Sequence, residues 1–224
     1  MQHLNKLGLR ITGDFQRVDA HAVQIARGIP AAVIGDACNR LQGLSGGFLH
    51  YGRTKTFAGP ALTVRVRPGD NLFLAKAIDL AQPGDVVVVD AGGGLNVAMV
   101  GGMMTKYAVF RRIEALVVDG AVRDVQELAA TDLAVVARGI SPNGPFKTGP
   151  GEIGYPIACG GISIASGDLV VGDHDGVVVV PRESVAQVLA VAQEKLRMEQ
   201  SWEVQIAQGN WDRGWIDQAL AKLS

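Results

Sequence analysis

The chain has little with which to build a cross-linked or strongly charged scaffold. Only two of its 224 residues are cysteines, Cys38 and Cys159. Two are too few for a disulfide framework, and their spacing fits no zinc motif. They read as small buried thiols in a reducing compartment. Aromatics make up 5% of the residues, so Val, Ala, Leu and Ile must fill the core. No basic excess exists. A net charge of -1 offers nothing to neutralise a phosphate backbone, and Lys6, Arg10 and Arg17 are scattered. Nucleic-acid binding is not expected. No apolar run reaches the ~18–20 residues of a membrane span, and the N-terminus has no signal-peptide core. A cytoplasmic protein without a membrane partner is expected. His3, His21, His50 and His174 lack metal-ligand spacing, which argues against a histidine zinc site.

Apolar residues and glycine are what the chain does have. Hydrophobic residues at 48% supply a sizeable core, and the length suits one domain over residues 1–224. The 29 glycines cluster at the ends of apolar runs, the punctuation of tight strand-to-helix turns. Val86 to Val89 is a continuous β-branched run bounded by Pro83-Gly84-Asp85 and Ala91-Gly92-Gly93-Gly94. It predicts a strand buried on both faces. Residues 97–112 predict a helix, 115–118 a second buried strand, 124–131 a short helix and 133–137 a third strand. This alternation predicts a parallel sheet with helices on its faces.

The flanks read differently. Residues 59–66 predict a strand with one wet face. Residues 162–164, 169–171 and 177–180 predict short strands separated by turn sequences, hence an additional β-layer. The architecture expected is mixed β/β/α around one core. Pro181 ends the last strand, and residues 182–207 have helical spacing. Gly209-Asn210 breaks that helix before a short final one. Trp202, Trp211 and Trp215 concentrate in this 182–224 helical tail, which suits a subunit interface or packing on its own domain.

Chemistry is expected where the second strand ends. Val118-Asp119-Gly120-Ala121-Val122-Arg123-Asp124 leaves a buried strand, turns at glycine and places an Arg-Asp pair where a helix begins. Ligands of α/β sheets bind at the carboxyl ends of strands, and a helix N-terminus favours carboxylates. Adjacent helical residues do not face each other, so Arg123 and Asp124 are expected to address different parts of one ligand. The bland alternative makes Asp124 an N-cap and Arg123 a surface ion-pair partner. Gly92-Gly93-Gly94 and Gly101-Gly102 allow close backbone approach to an anion, or simply tight turns.

Gly102, Arg123, Asp124 and Glu127 together read G-x20-R-D-x2-E. This pattern is similar to the signature of the class II pyruvate aldolases acting on 4-hydroxy-4-methyl-2-oxoglutarate and 4-carboxy-4-hydroxy-2-oxoadipate. Those enzymes share a fold with the regulator of ribonuclease activity A. Residues 117–124, residues 30–41 with Asp36, and residues 167–181 extend the resemblance, which covers roughly 25–195. It implies an α/β, swivelling-domain-like fold with a central parallel sheet, a β-layer and C-terminal helices. It implies that Asp124 holds Mg²⁺ or Mn²⁺, with water completing much of the shell, and that Arg123 contacts the pyruvyl oxygens. It implies that the backbone at Gly101, Gly102, Met103 and Met104 cradles the pyruvyl carboxylate, with Glu127 in support. The implied reaction is retro-aldol cleavage of a 4-hydroxy-2-oxo di- or tricarboxylic acid through a metal-stabilised pyruvate enolate. Oxaloacetate decarboxylation would be a side activity. A homotrimer, or a dimer of trimers, is also implied, with sites between subunits.

The chain departs from that family in two places. Some members carry an acidic residue near the position of Gly102. Family aldolases also use a glutamate from a neighbour's C-terminal region, for which Glu199 is the candidate and Glu194 the second choice. Three rival readings stand. A non-catalytic, protein-binding relative of the ribonuclease regulator is one, although such relatives generally lack the acid found here as Glu127. An S-adenosylmethionine-dependent methyltransferase, from Asp90-Ala91-Gly92-Gly93-Gly94 and Asp119, is another. A Schiff-base aldolase would need a desolvated Lys76 or Lys106. Asp36 could be a supporting acid or a surface residue.

Overall fold

The computed structural model describes residues 5–223. His3 and the outermost residues of the 1–224 and 182–224 assignments lie outside them. The chain begins with β1 (Asn5–Lys6), β2 (Leu9–Ile11), α1 (Ala20–Arg27), α2 (Ala31–Ala37), β3 (Leu49–His50) and β4 (Phe57–Val66). Then come α3 (Leu72–Leu80), β5 (Val86–Asp90), β6 (Ala98–Val100), α4 (Gly102–Phe110), β7 (Ala115–Val122), α5 (Val125–Ala130) and β8 (Ala134–Ile140). The last part holds β9 (Gly151–Ile153), β10 (Ile157–Cys159), β11 (Ile162–Ile164), β12 (Leu169–Asp173), β13 (Gly176–Val180), α6 (Val185–Ala207) and α7 (Gly214–Ala221).

Strands β4, β5, β7 and β8 pair in parallel and form the centre. Successive side chains of a strand face opposite ways. Val87 and Val89 of β5 therefore enter one core with Leu74 and Ile78 of α3 and Ala108 of α4. Val86 and Val88 enter a second core with Val177 and Val179 of β13. The opposite face of β13, through Val178 and Val180, packs against α2 and α6 by way of Ile34 and Leu189. The fold is thus helices, central sheet, β-layer, helices. This is the mixed β/β/α arrangement with a central parallel sheet, an additional β-layer and C-terminal helices.

Strand β4 links the two β-layers. Its start pairs with β12 and its end with β5 and β9. It has no wet face, because Leu62, Val64 and Val66 pack against α3 on one side and Phe57 and Ala61 pack against the β-layer on the other; only Pro60 and Arg65 escape burial. The helix expected over 97–112 is also shorter. Residues 98–100 form β6 on the far end of β7, with Ala98 opposite Ala121, and helix begins only at Gly102. A short apolar run has no periodicity to separate these outcomes. The C-terminal helix is preceded by a 3-10 turn at Arg182–Ser184. Its first half is anchored by Val185, Leu189 and Ala192, while Val204 and Ile206 stay exposed. Trp202 and Trp211 pack on each other at 6.3 Å. Cys159 is buried and burial pushes its thiol up; Cys38 is only half-buried. Among the described residues no helix is long and apolar enough to cross a membrane.

The β4–β5 approach makes a stability prediction. A Cβ on Gly59 would lie 2.2 Å from the Gly84 carbonyl oxygen, and Gly84 sits in a turn at φ +89° that cannot easily yield. Gly59→Ala should lower stability by about 1–3 kcal/mol, read from the urea midpoint. An unchanged midpoint would contradict this packing.

Candidate active site

Strand β7 ends at Val122, and the Arg123 amide still donates to the Val100 carbonyl of β6 at 2.9 Å. Asp124 then takes the left-handed conformation, φ 57° and ψ 40°. That region costs a non-glycine residue roughly 1–2 kcal/mol, least for Asp and Asn. The surrounding bonds hold it there. The Asp124 carbonyl accepts from the Glu127 and Leu128 amides at 2.9 and 3.0 Å, starting α5. The Asp124 side chain makes no bond to its own helix; Oδ2 accepts from the Gly102 amide at 2.9 Å. Asp124 therefore occupies the N-cap position of α5 but caps α4 with its carboxylate.

This twist changes the expected relation of the pair. Arg123 Nε lies 3.6 Å from Asp124 Oδ2, with both side chains about two-fifths exposed, at 42% and 40%. They do approach each other, because neither is helical and the helix geometry that would separate them begins one residue later. The contact is long and open, worth little by itself. Asp124 Oδ1 has no protein partner among the described residues.

Gly101 and the signature's Gly102 are closely approached by the Arg-Asp turn and Glu127. A Cβ on Gly101 would sit 2.5 Å from Asp124 Oδ2 and 3.1 Å from Arg123 Nε. A Cβ on Gly102 would sit 2.3 Å from Glu127 Oε2. A side chain at 102 would displace the Glu127 carboxylate, the end of a half-exposed side chain. Glu127 also pairs with Lys106 at 2.6 Å, so that lysine is committed, and Lys76 stands 3.7 Å from Asp79.

A cavity of about 360 Å³ opens here. One wall is the start of α4 with Gly101, Met103 and Met104; Arg123 and Asp124 form the floor. The first intrahelical bond of α4 is from Thr105 to the Gly101 carbonyl, so the Met103 and Met104 amides precede the ladder. They and the helix dipole suit an anion. The opposite wall is the 144–147 loop, which sequence reasoning missed along with Asn71. Gly144 abuts Arg123, where a Cβ would lie 2.8 Å from Nη1. Lys147 lines the same cavity and forms no ion pair among the described residues. Two signals were available. Asp70-Asn71 before an apolar run is a helix-start pattern, and a Gly/Pro-rich loop between strands is where binding residues gather.

The remaining expected residues lie elsewhere in the protomer. Glu199 is on α6, 3.9 Å from Lys195, and Glu194 pairs with Arg197 at 3.3 Å. Asp36 is paired with Lys195, and that ammonium holds its carboxyl below the usual range. Asp119 pairs with Arg138 at 2.5 Å and accepts from the Gly160 amide at 2.8 Å. Burial raises the Asp90 carboxyl, which accepts from the Gly92 amide. His50 and His174 stand 6.5 Å apart, ring to ring. Among the described residues no three His, Cys, Asp or Glu side chains gather as a metal cage. A hard ion held by one carboxylate and water is a different case. The free Asp124 Oδ1 fits it, since Mg²⁺ often takes one or two carboxylates and keeps its waters.

Fold and cavity define an α/β protein whose anion-receptive helix start faces an Arg-Asp pair. Residues 31–179 match the RraA-like family model described as Aldolase/RraA, and the chain belongs to that family. A Halalkalibacterium halodurans protein named "Putative 4-hydroxy-4-methyl-2-oxoglutarate aldolase" is 41% identical over 169 residues, 75% of this chain and 80% of its own. The solved RNA-processing inhibitor RraA from Thermus thermophilis superposes with a TM-score of 0.64 at 30% identity, over 67% of this chain and 92% of its own. A Geobacillus kaustophilus structure described as S-adenosylmethionine: 2-dimethylmenaquinone methyltransferase gives 0.62 at 32% identity, over 66% and 93%.

The capping geometry is testable. Gly101→Ala should push the Asp124 carboxylate off the Gly102 amide and cost about 0.5–2 kcal/mol, the range for a lost helix cap. Gly13→Ala, whose Cβ meets nothing within 4 Å, is the control and should change thermal stability little. Equal effects would remove the cap.

Proposed function

We propose that the chain is a divalent-metal-dependent carbon–carbon lyase that releases pyruvate from a 4-hydroxy-2-oxo di- or tricarboxylic acid. The observation that carries this reading is the convergence of three features on one cavity: the free Asp124 oxygen, the Arg123 guanidinium and the unbonded amides at the start of α4. The 41% identical aldolase-named relative supports it.

Each residue has a role. The amides of Met103 and Met104 hold the carboxylate next to the 2-oxo group. Arg123 contacts the 2-oxo oxygen, where negative charge grows as the C3–C4 bond breaks, and fixed donors so placed stabilise it. Asp124 would hold Mg²⁺ or Mn²⁺, which when bound would supply Lewis-acid stabilisation of the developing negative charge. The C4 hydroxyl gives up its proton to a cavity water and becomes the carbonyl of the second product, and a proton returned from water to C3 of the enolate completes pyruvate. Glu127, held by Lys106, keeps the Arg-Asp turn and the start of α4 in register. Oxaloacetate loses CO₂ by the same electron flow, so its decarboxylation follows as a side activity. A homotrimer or dimer of trimers would let an exposed C-terminal tail, with Glu199 on α6, meet a neighbour's cavity.

A lactate-dehydrogenase-coupled assay tests this. Pyruvate should appear from 4-hydroxy-4-methyl-2-oxoglutarate or 4-carboxy-4-hydroxy-2-oxoadipate with Mg²⁺, and stop with EDTA. Asp124→Ala should abolish turnover, and Arg123→Ala should cut kcat by about 10²–10³. Near-normal rates in either variant overturn the assignment. Silence on every 2-oxo acid, with methyl transfer or protein binding instead, overturns the activity.

A further inference from the structure

The cavity's second wall is held by a buried carboxylate that takes no part in the roles above. Asp70 precedes α3 and is fully buried. Its Oδ2 accepts from the Thr148 amide at 2.6 Å, the Gly149 amide at 2.9 Å and the Thr148 hydroxyl at 3.1 Å. Its Oδ1 accepts from the Leu72 amide at 3.0 Å. Burial pushes this carboxyl up, but the four donors outweigh it and keep it below the usual carboxylate range.

The neighbours of Asp70 complete a brace. The Asn71 amide donates to the Phe146 carbonyl, and the Phe146 amide donates to the Gly69 carbonyl, at 3.0 and 2.8 Å. Asn71 Nδ2 reaches the opposite wall and donates to the Met99 carbonyl at 2.9 Å. Residues 69–71 thus tie the 144–149 loop to the strand that leads into α4. The loop has no regular structure of its own. What it presents is Lys147, an exposed cation lining the cavity with no anion assigned to it. In the proposed reaction Arg123 and the α4 amides take one carboxylate and the 2-oxo group.

We propose that Asp70 is a positioning residue, clamping the 144–149 loop so that Lys147 receives the second carboxylate of a dicarboxylic 2-oxo acid. This deepens, and rests on, the lyase reading of the same cavity. Asp70 touches no ligand and acts through Lys147. A carboxylate is required because Oδ2 faces two amides and a hydroxyl at once. A carboxamide nitrogen would meet those donors with a donor, and the flipped amide would meet Leu72 in the same way.

Two acids separate this from a general loss of structure. Pyruvate carries one carboxylate and 2-oxoglutarate carries two. Calorimetric titration in Mg²⁺ should give Asp70→Asn a Kd for 2-oxoglutarate raised about fivefold, with pyruvate binding unchanged. Lys147→Met should reproduce that pattern, and the double variant should be no worse than Lys147→Met alone. Hydrogen exchange at the Thr148 and Gly149 amides should accelerate about tenfold or more in Asp70→Asn. Equal weakening of both acids, or additive effects in the double variant, overturns the positioning role. Unchanged exchange overturns the clamp. A wild-type protein that binds neither acid overturns the lyase reading and the role of Lys147 with it, while the exchange experiment still judges the clamp. Should Asp70→Asn fail to fold, Lys147→Met alone decides: loss confined to 2-oxoglutarate supports the second-carboxylate site, and unchanged binding overturns it.

Discussion

The bond from the Gly102 amide to the Asp124 carboxylate is the constraint from which the rest of the site follows. It couples two helices through one residue. The Asp124 backbone starts α5, while its side chain completes the first turn of α4. That double duty goes with the left-handed backbone at Asp124 and with a bare glycine at 101, whose Cβ would meet the Asp124 carboxylate. Gly102, Arg123, Asp124 and Glu127 are therefore one steric unit. Their spacing along the chain equals the path down α4, through β7 and into α5.

The same constraint shapes the electrostatics. Asp124 spends one oxygen on the helix start and keeps the other free. Around it stand a guanidinium, an ammonium and the positive end of a nine-residue helix. Such a balance suits an acidic ligand arriving with a cation, whose charges then complement each other across the cavity. The proteins this chain is similar to are named for aldol chemistry, for inhibiting RNA processing and for methyl transfer. A shared fold thus does not fix one function, and an activity has to be argued from the site.

Particular elements show how far local reading reaches. Strands β5, β7 and β8 were legible because runs such as Val86–Val89 leave no polar residue to face water. The Arg-Asp turn was legible because it follows such a strand and opens a helix. The conformation of that turn was not. Spacing assumed ordinary helical geometry, and a left-handed aspartate brought Arg123 and Asp124 within 3.6 Å. Strand β4 misled for a different reason: its polar residues suggested solvent, but α3 packs on one face and the β-layer on the other. Strand β6 was absorbed into a helix, since three apolar residues carry no period of their own.

By itself the sequence determined the layers, because uninterrupted β-branched runs must be buried and glycine-rich breaks must turn. It also determined the place of the Arg-Asp pair, because the end of a buried strand is where a parallel sheet meets solvent. Only the tertiary structure decided which other groups share that place. Asn71, Gly101, Asp124 and Lys147 come from four separate connections. The pairing of β4, β5, β6 and β7 brings these connections to one edge, and nothing local to any of them specifies the others.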